Sequence, residues 1–189
     1  EVIEKLAKDE ILNVSRVSDF IRDYLTVENK NIPNKGRVYF EFKSKYPTST
    51  LEELESNLSG IKALGNLYNK LINPKNETDK EIRLQLEYIN RLEINVAYPF
   101  LMKVYDDYSN SIIDKATFLK VLDTIQSFTW RRFIVGLPTN ALNKIFMNLY
   151  DKVERENYLY SIQKALLQRA GVQRYPKNEE TIDALKVKD

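Results

Sequence analysis

Neither histidine nor cysteine occurs in this chain of 189 residues. Without them no Ser-His-Asp or Cys-His nucleophile system, no ordinary zinc site and no His-Asn-His nuclease centre can be assembled from these residues. The missing cysteine also removes any disulfide framework, which suits a reducing cytoplasm. Glycine (5) and proline (6) are scarce. So few turn formers over such a length imply few, long elements, hence helices. No apolar run approaches the roughly 20 residues of a membrane span, and there is neither an initiator Met nor a signal-like stretch. The ends therefore read as cuts from a larger protein. Charge has no dominant sign, with 29 basic against 27 acidic residues and a net +2, unlike a strongly basic nucleic-acid binder.

What is present fits an ordinary globular chain, 43% hydrophobic and 30% charged, and residues 1–189 read as one helical domain. Val2, Ile3, Leu6 and Ile11 form a short amphipathic piece. Val17, Phe20, Ile21, Tyr24 and Leu25 follow the i, i+3, i+4 spacing of a helical face. Arg37 to Tyr46 fits either a strand or a helix, and the lack of a partner strand favours the helix. Thr50 with Glu53, and Thr78 with Glu81, read as capping boxes. The second opens a helix expected to reach Val96. Pro99 either kinks that helix or sits in the first turn of the next. Asp114 caps a long helix through Trp130 to Val135, which Gly136-Leu137-Pro138 ends. Thr139 caps another, reaching Val153. Tyr158 to Ala170 follows, with Gly171 as its C′ residue, and a last short helix carries Ile182 and Leu185. No repeat or low-complexity linker divides the chain. The expectation is an all-α, bundle-like domain of about eight helices.

Four groups of residues invite a chemical reading. Asp106 and Asp107 are paired carboxylates, but a metal needs further ligands, so a solvated helix end is the reading adopted. Asp23 with Glu41 and Lys43 imitates the acidic pair and lysine of a metal-dependent nuclease, without the sheet such enzymes use. Basic residues gather at Lys35, Arg37, Lys43 and Lys45, and again at Lys164, Arg169, Arg174 and Lys177, where phosphates could be gripped. The second group, flanked by Tyr160 and Tyr175, is the first choice for nucleic acid. Finally, Arg131 and Arg132 sit inside an aromatic helix. A guanidinium there must reach solvent, a carboxylate or exposed carbonyls, and a structural latch is favoured over a contact to phosphate or to a partner domain. Phe128, Trp130 and Phe133 are expected to be buried beside it.

That last segment carries a resemblance. Ser127-Phe128-x-Trp130-Arg131-Arg132, then Gly136-Leu137-x-Thr139-Asn140-x-Leu142-Asn143-Lys144-Ile145-Phe146, resembles the helical region of GmrSD-type proteins. These are bacterial type IV, modification-dependent restriction endonucleases and their relatives. Asp19 to Leu25 resembles the helix after that family's N-terminal domain, and Arg174-Tyr175-Pro176 resembles the lead-in to its C-terminal domain. The resemblance implies two flanking modules as partners. One is ParB/sulfiredoxin-like, bears an Asp-Gly-Gln-Gln-Arg motif and is associated with nucleotide use. The other is a His-Asn-His nuclease. Neither motif lies in these residues, so no catalytic residue carries over, and no metal or other cofactor is expected here. The expected role is a connecting, DNA-facing helical domain of a defence endonuclease, with no membrane partner. A pure scaffold or oligomerisation domain is the alternative, followed by a carboxylate/lysine nuclease.

Overall fold

The computed structural model describes residues 16–47 and 50–187. The expected amphipathic piece at Val2–Ile11 lies outside them, as do the side chains of Leu51, Leu54 and Leu58. Among the described residues there are nine α-helices, six short 3-10 turns and no strand. The chain is all-α. No helix among them is long and apolar enough to cross a membrane. The helices group into two compact units, divided between Asn76 and Glu77.

The first unit contains α1 (Arg16–Asn29), α2 (Val38–Lys45) and α3 (Leu51–Ile72). Phe20, Tyr24 and Leu25 of α1 are buried, as are Ile61, Leu64, Tyr68 and Leu71 of α3. This is the 3.6-residue stripe read from sequence. Phe20 and Tyr68 meet with ring centroids 5.3 Å apart. The ambiguous 37–46 stretch is a helix preceded by a 3-10 turn, Lys35–Arg37. Thr50 caps α3 by accepting from the Glu53 N–H.

The second unit contains α4 (Lys80–Arg91), α5 (Tyr98–Ser109), α6 (Lys115–Val135), α7 (Asn140–Leu149), α8 (Tyr158–Leu167) and α9 (Asn178–Val187). The long α6 is its axis, packing against α4, α5, α8 and α9. Asp114 caps it through the Thr117 N–H, and Gly136 ends it in a left-handed conformation (φ 75°) that disfavours any residue with a Cβ.

Several boundaries differ from the sequence reading. Asp79, rather than Thr78, caps α4, accepting from the N–H groups of Glu81 and Ile82. Its carboxylate is also fixed by Lys115. α4 stops at Arg91 instead of Val96, because Glu93 turns the chain at φ 54° into a 3-10 turn. Pro99 occupies the first turn of α5, where its missing N–H costs nothing. Thr139 precedes α7 without a side-chain capping bond, and α7 tightens into a 3-10 turn after Leu149. α8 ends at Leu167, so Gly171 (φ 57°) opens a separate turn rather than closing that helix. On α9, Thr181 is buried while Ile182 and Leu185 face outward.

Candidate functional site

The Ser127–Phe146 motif divides into an internal latch and an exposed groove. Phe118, Val121, Leu122, Ile125, Phe128 and Arg132 occupy the buried face of α6. At about 100° per residue, Trp130 lies about 200° round the helix from Phe128 and Phe133 about 140°. They therefore face away from that core, and the expected burial fails for both. Trp130 is 40% and Phe133 66% exposed, while Phe128 is fully covered. The helical period already contained this answer; reading the aromatics as one block concealed it.

Arg132 makes the latch. One terminal nitrogen donates to the carbonyls of Val172 (2.9 Å) and Arg174 (3.1 Å), the other to Pro138 (3.0 Å). Its guanidinium also lies 5.3 Å from the Phe128 ring centroid. Burial, with Arg174 and Arg169 nearby, lowers its pKa, which for arginine leaves the charge in place. The side chain thus ties α6 to the turn before α7 and to the turn at 171–174. Arg131 is half-buried, giving one bond to the Pro176 carbonyl (3.3 Å) and lying over Tyr175. Tyr175 in turn donates to Ser127 Oγ, and Phe146 closes against Phe128 edge-on.

Outside this latch, Leu92, Ile94, Val96, Trp130, Phe133 and Leu137 line a groove of about 550 Å³, with Thr139, Asn140 and Asn143 among its polar residues. Its walls are mostly apolar. A more open cleft of about 620 Å³, lined by Asp123, Ser127, Arg131, Gln163, Tyr175 and Lys177 among others, lies where α6, α8 and α9 meet.

The first-choice basic group does not stand free. Arg174 binds both carboxylate oxygens of Glu180 and the carbonyl of Gly171. That pairing raises the Arg174 pKa and lowers that of Glu180. Arg169 donates to Gln173 Oε1 (3.1 Å), and burial lowers its pKa. Lys164 and Lys177 are exposed. In the other group, Lys45 is tied to Asn29 and Glu28, whereas Lys35, Arg37 and Lys43 are exposed. The two groups belong to different units.

The carboxylates also part from expectation. Asp107 is buried, not a solvated helix end. It accepts from the Tyr150 hydroxyl (2.8 Å) and the Tyr158 hydroxyl (2.5 Å). Burial first, and then this carboxylate, raise both phenol pKa values. A second such pair joins Tyr105 to buried Glu77. Short-range patterning has no signal for either, since the tyrosines come from elsewhere in the chain. Asp23, Glu41 and Lys43 lie on helices, so the strand-borne nuclease arrangement is not formed. Burial raises the Asp23 carboxyl to about 7, against the opposing pull of Arg22. Among the described residues no group of three or more carboxylates comes together as a metal site. No protein-family model, curated protein or solved structure matches the chain.

Proposed function

We propose that this chain is a helical connecting domain of a bacterial modification-dependent restriction or defence endonuclease, acting in the cytoplasm. It holds a ParB/sulfiredoxin-like module and a His-Asn-His nuclease module in register and contributes no catalytic group of its own. One observation carries the reading: the motif residues are spent on packing and presentation. The two terminal nitrogens of Arg132 donate to three carbonyls, and Trp130 and Phe133 are held at an apolar groove. Large aromatics kept at a surface groove suit docking of another protein surface. Arg169 and Arg174 serve internal contacts, so this side of the domain favours protein over DNA as its neighbour.

The test is twofold. The reading frame on both sides should encode the two modules; a frame lacking both ends this proposal. Joined to those modules, Trp130, the single tryptophan, should emit further to the blue than in the chain alone. An unchanged spectrum would remove the groove from the connection. If Trp130 emission instead shifted with the concentration of the chain alone, the groove would join two copies, and the oligomerisation alternative would take over.

A further inference from the structure

A surface in the first unit has chemistry that the connecting role does not use. Residues 29–47 contain five cations, Lys30, Lys35, Arg37, Lys43 and Lys45, against the single acid Glu41. The 3-10 turn Lys35–Arg37 is pinned by Asn34, whose carbonyl accepts from the Arg37 N–H and whose side chain accepts from the Gly36 N–H. α2 follows directly, buried through Val38, with half-buried Phe42 tilted against Tyr46 at 5.1 Å between ring centroids. This anchoring leaves the opposite face outward. Tyr39 is 66% and Phe40 65% exposed, with ring centroids 5.5 Å apart and planes at 76°. On a helix, Lys43 follows Tyr39 by four positions and Phe40 by three, so it shares their face. Lys35 and Arg37 sit in the 3-10 turn that leads directly into α2, two to five positions before the rings. Two exposed aromatic rings and three exposed cations thus share one short segment.

The geometry points to a binding surface for single-stranded nucleic acid, with Tyr39 and Phe40 as stacking platforms and Lys35, Arg37 and Lys43 as phosphate contacts. Cations alone would suit any polyanion. The rings select, because in a duplex the base faces are already stacked and cannot receive them, whereas a single strand can turn its bases outward. A lipid surface fits less well. An interfacial helix needs a broad apolar face and several turns, and α2 has eight residues with its other apolar side chains turned inward. The inference rests on this surface alone and stands or falls separately from the connecting role.

The experiment uses the 189-residue chain with a labelled 15-nucleotide oligothymidylate and a 15-base-pair duplex, read by fluorescence anisotropy across a salt series. Binding to the single strand should be tighter than to the duplex. Three phosphate contacts predict a log–log salt slope of about −2 for the single strand. The double variant Tyr39→Ala/Phe40→Ala should lose roughly 30-fold or more for oligothymidylate and little for the duplex. Tyr39→Trp/Phe40→Trp should restore binding. Both substitutions fall at exposed sites, and helical circular dichroism confirms the fold. Lys35→Glu/Arg37→Glu/Lys43→Glu should abolish both interactions. Equal losses on strand and duplex for the alanine variant would overturn the inference, as would no oligothymidylate binding at low salt. Stronger, Phe40-dependent binding to phosphatidylserine vesicles than to oligothymidylate would reassign the surface to membrane.

Discussion

Replacing Arg132 by alanine removes three hydrogen bonds of 2.9–3.1 Å from a buried guanidinium and frees the carbonyls of Pro138, Val172 and Arg174. Bonds from a charged donor contribute about 1.5–3 kcal/mol each, so the gross loss is roughly 5–9 kcal/mol. Two terms oppose it. The variant no longer desolvates a charge, and the repulsion from Arg169 and Arg174 is relieved. Breaking one side of a buried charged arrangement costs about 3–5 kcal/mol. The lower end is expected here, because the released carbonyls belong to turns that water can reach. About 3 kcal/mol corresponds to a midpoint lowered by roughly 6–12 °C in a chain of this size. Arg131→Ala is the matched control. It gives up one 3.3 Å bond and a contact over Tyr175 from a half-buried position, and should cost about 1 kcal/mol or less. Trp130 lies in the same unit, so thermal unfolding followed by its fluorescence reports on both variants. If the two shift the midpoint equally, or Arg132→Ala leaves it unmoved, the latch does not hold this unit together.

Four further outcomes follow from the same contacts. Phe128→Ala should cost about 3–5 kcal/mol, Trp130→Ala about 1–3 kcal/mol because it is partly covered, and Phe133→Ala about 1 kcal/mol or less; thermal melts by circular dichroism that rank them otherwise would reverse the assigned faces of α6. Asp107→Ala strands the Tyr150 and Tyr158 hydroxyls and should cost about 2–4 kcal/mol, with Asp107→Asn recovering part of it; chemical denaturation with no difference between the two would refute the network. Asp23 has its folded pKa raised to about 7 from 3.8, so its contribution is fully present below 3.8 and is lost as pH rises through 7. Asp23→Asn should therefore flatten the decline in stability between pH 4 and 8, by up to about 4 kcal/mol for a shift of three units; parallel pH profiles would count against it. Reversing Arg169 and Arg174 would disturb internal contacts as much as any DNA site. Lys164→Glu/Lys177→Glu is the cleaner probe, and duplex binding by anisotropy should not change; a large loss would restore that surface as a DNA contact.

The sequence by itself determined the helical class, most helix positions and the absence of any His- or Cys-based chemistry. Those properties are local or compositional. A 3.6-residue stripe, Thr50 before α3, Asp114 before α6 and Gly136 after it act through neighbours a few residues away. The cost of burying an unpaired guanidinium likewise pointed to Arg131 and Arg132 as the place to look for a latch. Tertiary structure decided the rest, because it depends on partners distant in the chain. Asp107 is buried only because Tyr150 and Tyr158 fold back onto it. Arg132 becomes a latch only where the turn at 171–174 presents its carbonyls. Arg169 and Arg174 look like free cations in sequence until Gln173 and Glu180 occupy them. Tyr39 and Phe40 become a surface because Val38 and Phe42 take the inward positions on α2. A helix has two sides, and the burial of one by its neighbours fixes which chemistry the other can offer.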